Sequence, residues 1–325
     1  MSNERAKSAV SIAGMFFISI IWGLSFVFMK DAISESSVLY VLAIRFLLAG
    51  VPMALIFIKK LLKSKKEDLL RGIICGVILI ASYLFQGYGC KYTTASKNAL
   101  LSSVYGVIVP FASWLIFRKK PKLMNLIFAL IAFVGIGLIT INGFEPINIG
   151  DILTLLGGII FAFQISLLSE FSKKSDPILL TIIQFLTVGI ILICFAPLEG
   201  GFPTFLFTDV DLLWRMLVLG FLCTLVCFVM QSICQRHLPV VVSGVIISLE
   251  APFGVIAGVL MQHDRITNLM IAGIVVLFAA VIGMQLYEFV FDKKNKRKNE
   301  IVPVESVGDY QGDEGMSTKT SPIDD

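Results

Sequence analysis

The stretch LPVVVSGVIISLEAPFGVIAGVLMQ, residues 238–262, is 25 residues long and carries one charge, Glu250, twelve residues from either end. At about 1.5 Å per helical residue, that is roughly 18 Å of helix on each side. The hydrocarbon core of a bilayer is about 30 Å thick, so a spanning helix would hold Glu250 near the midplane. A carboxylate there costs about 2.5–3.5 kcal/mol even on insertion scales, and chains that keep one turn it into a bundle interior or a water-filled cavity. Two residues later Pro252 removes a backbone N–H and frees a carbonyl, a helix break beside the acid. An acid at mid-depth beside an interrupted helix is the pattern of a transporter site. The competing reading is a protonated glutamate bonded to a neighbouring helix and serving packing alone.

The rest of the chain has the same character. Of its 325 residues 57% are hydrophobic and 15% charged, against about 25% charged in soluble domains. This is the composition of an all-α integral membrane protein; a barrel would show short alternating segments instead. The net charge of +4 implies no nucleic-acid partner, because the basic residues cluster between apolar runs, where topology explains them. None of the six cysteines shows C-x-x-C spacing; Cys223, Cys227 and Cys234 share one helix face as small packing residues. His237 and His263 lie in loops without ligand spacing, so neither a metal nor a cofactor is expected.

Ten apolar runs follow one another: 8–29, 36–58, 72–90, 98–117, 123–144, 152–169, 177–198, 216–235, 238–262 and 266–287. Each is about 18–25 residues, the length of a spanning helix. The first is about 22 residues and is followed by more spans, so it reads as a span and not as a cleavable signal. Lys59, Lys60, Lys63, Lys65, Lys66, Arg71, Arg118, Lys119, Lys120, Lys122, Lys173, Lys174 and the cluster from Lys293 to Lys298 fall on one side. The other side holds few bases and Asp31, Glu35, Glu145, Asp151, Glu199, Asp209 and Asp211. The positive-inside rule then puts both termini in the cytoplasm, as an even span count requires. Residues 292–325 open basic and become polar and acidic, the composition of a disordered tail.

The fourth and fifth runs resemble the ninth and tenth. ALLSSVYGVIVPFASWLIF and NLIFALIAFVGIGLITI flank a turn with Arg118-Lys119-Lys120-Pro121; GVIISLEAPFGVIAGVLM and NLMIAGIVVLFAAVIGMQLY flank one with His263-Asp264-Arg265. Pro110-Phe111 answers Pro252-Phe253, Asn125 answers Asn268 and Gly137 answers Gly283, at offsets of 142, 143 and 146. The chain thus divides into ten transmembrane helices as two inverted five-helix repeats, residues 1–145 and 146–291. An odd number of spans per half inverts the second, an architecture used for alternating access.

Trp22-Gly23 in the first run, Arg45-Phe46 in the second and Leu249-Glu250 with Pro252 in the ninth, in this order across ten spans, resemble the drug/metabolite transporter superfamily of the EamA type. Asp264 stands where that family often has an acid before the last helix. The resemblance covers about residues 12–287 and implies a plasma-membrane carrier, often an exporter of amino acids or other small metabolites. The chain departs from the family in its basic first turn, in Ala251 between Glu250 and Pro252, and in Phe161-Ala162 where a tryptophan is expected.

Further polar residues lie inside the runs. Arg45, nine residues into the second, could bind an anionic group, pair with Glu250, snorkel or cap carbonyls; its depth on the outer side of the midplane argues against contact with Glu250. Gln86, Asn98, Gln164, Gln184, Gln231 and Gln285 need partners, by default across helices, and a central polar cavity would recruit some of them. Trp22, Tyr83 and Tyr105 suit a cavity wall with one polar handle each. Ser102 and Ser103 oppose the Glu250 region in the repeat, and Pro110 and Pro252 are the expected helix breaks. Gly72-x-x-x-Gly76 and Gly254-x-x-x-Gly258 permit close helix contact within the bundle or across a homodimer face.

These readings lead to a secondary transporter of small polar or amphipathic metabolites, with membrane lipids as its surroundings and Glu250 coupling transport to protons or reading a cationic group. The alternatives are a channel-like or sensory polytopic protein and a membrane-embedded enzyme. An enzyme would need a nucleophile–base pair, an acidic pair or a metal cluster at membrane depth, and the runs hold one carboxylate and no histidine.

Overall fold

The computed structural model describes residues 2–118, 120–140, 148–234, 246–247 and 249–300. Lys119, Glu145, Arg236, His237, most of the opening of the 238–262 stretch and residues 301–325 lie outside the described residues.

The described residues contain no strand. The helices are α1 (Ser2–Glu35), α2 (Val38–Ile56), α3 (Ile58–Leu62), α4 (Lys66–Tyr92), α5 (Ala95–Ser102), α6 (Tyr105–Phe117), α7 (Leu123–Thr140), α8 (Ile149–Phe171), α9 (Pro177–Glu199), α10 (Phe205–Thr208), α11 (Val210–Leu217), a π-helical segment (Val218–Val226), α12 (Cys227–Cys234), α13 (Glu250–Gln262) and α14 (Asn268–Glu300). Among the described residues seven stretches are long and apolar enough to cross a membrane: Ala9–Glu35, Val38–Ile56, Lys66–Tyr92, Ala95–Phe117, Ile149–Phe171, Pro177–Glu199 and Val210–Gln231. Three shorter apolar helices, Leu123–Ile139, Glu250–Gln262 and Asn268–Met284, lie at the fifth, ninth and tenth expected runs. The protein is all-α and membrane-embedded, and large apolar side chains such as Leu115, Leu198 and Leu260 stand exposed on its outside, as a bilayer requires.

Local chemistry sets the helix starts. Ser37, Thr94, Asn148 and Asp176 each accept a backbone N–H of the first turn with a side-chain oxygen. Two helices end unusually. Arg118 closes α6 at φ 59° and His263 closes α13 at φ 56°, and no other non-glycine among the described residues has positive φ. Both helices have 13 residues, and both their starts and their ends are 145 residues apart.

The body, Met1–Glu288, forms one compact unit; of the second unit, Phe289–Asp325, residues 289–300 are described, as helix. The first nine residues of the expected disordered tail are therefore the end of α14. Lysine and arginine are good helix formers, and positive charge suits a helix C-terminus.

Packing within the body brings α4 against α8 and α9, α2 against α9, and α1 and α5 against α13. Both small-residue motifs are used inside the chain: a Cβ on Gly72 would meet Ile183 at 2.6 Å, and one on Gly254 would meet Ala99 at 2.5 Å. One apolar core, around Phe46 and Phe185, joins α1, α2, α4 and α9 to the π segment. A second joins α5, α6 and α7 to α13 and α14.

Candidate functional site

Between these helices lies a cavity of about 60 Å³, several times the space one water needs. Helix α1 lines it with Trp22, Ser25, Phe26 and Met29, spaced i, i+3, i+4 and i+7 as one face of a helix. Helix α4 gives Ser82, Tyr83 and Gln86, and α8 gives Gly157, Gly158 and Phe161 at the same spacing. Arg45 enters from α2, Phe228 from α12, Ser102 and Tyr105 from the junction of α5 and α6, and Glu250 from the start of α13. A Cβ on Gly158 would lie 2.7 Å from the Ser102 carbonyl oxygen, so glycine lets α8 approach that junction closely.

Glu250 is not in the middle of an uninterrupted helix. It is the first residue of α13, after a tightened turn in which Leu249 N donates to Ile246 O at 3.1 Å. The same turn occurs before α6, where Val104 N donates to Leu101 O at 3.3 Å; the i→i+4 bonds Ile108 N to Val104 O and Phe253 N to Leu249 O repeat the 145-residue offset. The interruptions thus fall N-terminal of the prolines. Pro252 is the third residue of α13, where its missing N–H has no acceptor to lose, and Pro110 is the sixth of α6, its ring pressing on the carbonyl one turn back, close to the tightened turn. An acidic side chain in a first helical turn also sits where the helix dipole tolerates it best. Glu250 is 7% exposed, and its Oε1 accepts the Tyr105 hydroxyl at 2.7 Å.

Arg45 shares this cavity, although counting from the end of its run placed it at another depth. That count assumed continuous helices, and the turn before Glu250 breaks the assumption. Its Nε donates to Thr224 Oγ1 at 3.0 Å, and Nη1 reaches Met29 Sδ at 3.8 Å. The guanidinium carbon lies 5.2 Å from the Tyr83 ring centroid and 5.9 Å from that of Phe46. Thr224 belongs to the π segment, and its own hydroxyl proton goes to Leu219 O at 2.9 Å, so its oxygen is left to accept. One residue earlier, Cys223 O accepts Trp22 Nε1 at 2.7 Å. The π segment therefore fixes both Arg45 and Trp22. No ion pair joins Arg45 to Glu250.

A chain of ring contacts links the aromatic residues of the cavity wall through the buried core residues Phe46 and Phe185. Trp22 meets Phe228 at 5.2 Å, Phe228 meets Phe185 at 5.1 Å, Phe185 meets Phe46 at 5.4 Å and Phe46 meets Tyr83 at 4.8 Å. Phe161 then links Tyr83, at 6.3 Å, to Tyr105, at 5.3 Å.

Of the residues picked out in the sequence, Glu250, Arg45, Trp22, Tyr83, Ser102 and Tyr105 meet in this cavity. Four others are not on its lining. Asn98 is fully buried and donates to Thr154 Oγ1 at 2.8 Å and Gln86 O at 3.2 Å, while its Oδ1 has no hydrogen-bond partner among the described residues. Ser103 donates to Leu100 O at 2.7 Å, and Gln164 bonds Gln184 across α8 and α9 at 2.9 Å. Gln231 is half-buried on α12. Ser25, Phe26, Met29 and Ser82, with Phe161 and Phe228, were missed, whereas Gln86 is one of the amides of which a polar cavity was expected to recruit some. The helix-face spacing around Trp22 and Tyr83 could have pointed to the first four.

Polar contacts also tie early to late parts of the chain. Asp31 accepts from Arg215 and Gln262, Asp264 accepts from Ser96 N at 2.9 Å and Ser96 Oγ at 2.7 Å, and buried Asp151 accepts from Thr93 Oγ1 at 2.5 Å and Lys97 Nζ at 3.4 Å.

The EamA-like transporter family matches this chain twice, over residues 10–141 and 148–286. An uncharacterized transporter of Archaeoglobus fulgidus is 28% identical over 283 residues, 87% of this chain and 88% of its own. The uncharacterized transporter YoaV of Bacillus subtilis is 24% identical over 294 residues, 86% of this chain and 97% of its own. A solved crystal structure covers 88% of this chain and 99% of its own at a TM-score of 0.59 and 13% identity, a likeness of fold. With long apolar helices and two matched stretches covering most of its length, the chain belongs to the EamA-like transporter family and is a multi-pass membrane transporter.

Proposed function

We propose that the protein is a secondary transporter that exports small metabolites such as amino acids across the plasma membrane, with both termini in the cytoplasm. The observation that carries this reading is the pair Arg45 and Glu250: opposite charges, buried in one aromatic-walled cavity and left without an ion pair between them. Buried charges without an opposite charge beside them are costly, and a substrate bearing an ammonium and a carboxylate would supply one to each. Arg45 would take the carboxylate, Glu250 the ammonium or a coupling proton, and the rings the apolar remainder.

Movement would come from alternating access between two inverted five-helix halves, residues 1–145 and 146–291, with ten spans in all. The 145-residue register supports this: α6 and α13 share length, entry turn and left-handed end, and the same offset relates Tyr83 to Phe228 on the cavity wall. Asp31, Asp151 and Asp264 each bond across the two halves and would seal the cavity on their side. The test is counterflow into proteoliposomes preloaded with pooled amino acids and small metabolites. Uptake above empty vesicles supports a carrier and names its substrate class; no uptake by inserted protein overturns the reading.

A further inference from the structure

A second feature lies away from the cavity, where α2 ends. The chain bends at Phe57, and α3 then carries Lys59 and Lys60, with Lys63 closing it. These three lysines, Asp176 and Leu179 line one open groove. Lys60 Nζ donates to Asp176 Oδ2 at 2.6 Å, and Asp176 Oδ1 accepts Ile178 N at 2.9 Å as the cap of α9. Burial alone would raise the Asp176 carboxyl, but the Lys60 bond and the first-turn N–H groups bring it below the ordinary aspartate value. It is therefore an anion already committed to Lys60. Lys59 and Lys63, at i and i+4 on one face, have no hydrogen-bond or ion-pair partner among the described residues.

The groove therefore holds two uncompensated ammonium groups. Beside it the chain is apolar and open: Leu55, Ile56 and Leu62 are 68%, 69% and 79% exposed. The apolar span ends at Ile56, so the lysines begin where a bilayer's hydrocarbon gives way to headgroups. We propose that this groove is a binding site for an anionic phospholipid, its phosphate held by Lys59 and Lys63 and its acyl chains lying along Leu55, Ile56 and Leu62. A free phosphate would gain nothing from the exposed leucines and isoleucine, which is why a lipid is the better fit. The groove is lined from α3 and from the start of α9, so a bound headgroup would bridge the two stretches matched by the family.

Native mass spectrometry of the full chain, delipidated and then given phosphatidylglycerol, phosphatidylcholine or glycerol 3-phosphate, tests this. Wild type should retain phosphatidylglycerol over phosphatidylcholine. The double variant Lys59→Gln/Lys63→Gln should lose about tenfold in that retention. Lys65→Gln/Lys66→Gln, changed outside the groove, should retain it as wild type does. Equal retention of the two lipids, or equal loss in both double variants, would leave only diffuse attraction and overturn the site. Glycerol 3-phosphate displacing the lipid at comparable concentration would make it a soluble-anion site and also overturn the proposal.

Discussion

At the scale of single residues, the site depends on what holds Arg45 still. Its Nε has one acceptor, Thr224 Oγ1, and Thr224 is fully buried. Thr224→Val keeps the shape and removes the acceptor, leaving a buried charged donor unsatisfied at a cost of about 1–3 kcal/mol. Thr224→Ser should behave as wild type. Thermal unfolding reads the stability loss. Counterflow should show a higher KM in Thr224→Val for a carboxylated substrate than for its decarboxylated amine, a split that general loosening would not produce. Tyr105→Phe removes the hydroxyl that donates to Glu250 Oε1 and should alter the pH profile of transport while the fold persists; an unchanged profile would remove Tyr105 from the mechanism. Little of this was legible in the sequence. Glu250, Arg45 and Trp22 stand out as a charge, a charge and a large aromatic inside apolar runs. Thr224 does not, because VLGFLCTLV contains no proline or polar cluster to announce a π segment, and the pairing of residues 45 and 224 is tertiary.

At the scale of elements, α1 and α13 cross where Gly23 meets Phe253 and Gly254. A Cβ on Gly23 would lie 2.5 Å from Phe253 Cβ and 2.8 Å from Gly254 N. Gly23→Ala should therefore destabilise by about 1–3 kcal/mol through overpacking. It should also impair transport, since α1 carries Trp22 and α13 carries Glu250. Pro252→Ala makes the contrasting case. In a first turn proline gives up no hydrogen bond, so the variant should unfold within about 0.5 kcal/mol of wild type. A loss of more than that would show that Pro252, not the preceding turn, shapes this helix. The span positions were legible from hydropathy because length and apolarity are local properties. The start of α13 was not: Ile-Ser-Leu-Glu-Ala-Pro continues a helical pattern, and the tightened turn is visible only in its i→i+3 bond.

At the scale of the whole molecule, Asp31, Asp151 and Asp264 are among the residues whose hydrogen bonds join the two family-matched stretches. Asp31 takes both Arg215 and Gln262. Asp31→Asn should cost no more than about 1 kcal/mol of stability, because partly exposed pairs contribute little. If this contact closes one face of the carrier, the variant should still change the rate of counterflow, and the charge swap Asp31→Arg/Arg215→Asp should restore it. Wild-type rates in Asp31→Asn would remove it from the gate. Asp264 was singled out from its position before the last helix, and its bonds to Ser96 give that position a physical reason.

The measurement that bears most directly on the whole is counterflow at two pH values for wild type and Glu250→Gln, with insertion and folding verified for both. The expected result is saturable uptake by wild type, and a Glu250→Gln protein that is inserted and folded but has lost either transport or its pH dependence. Wild-type rates with an unchanged pH profile in Glu250→Gln would contradict the central role given to that carboxylate.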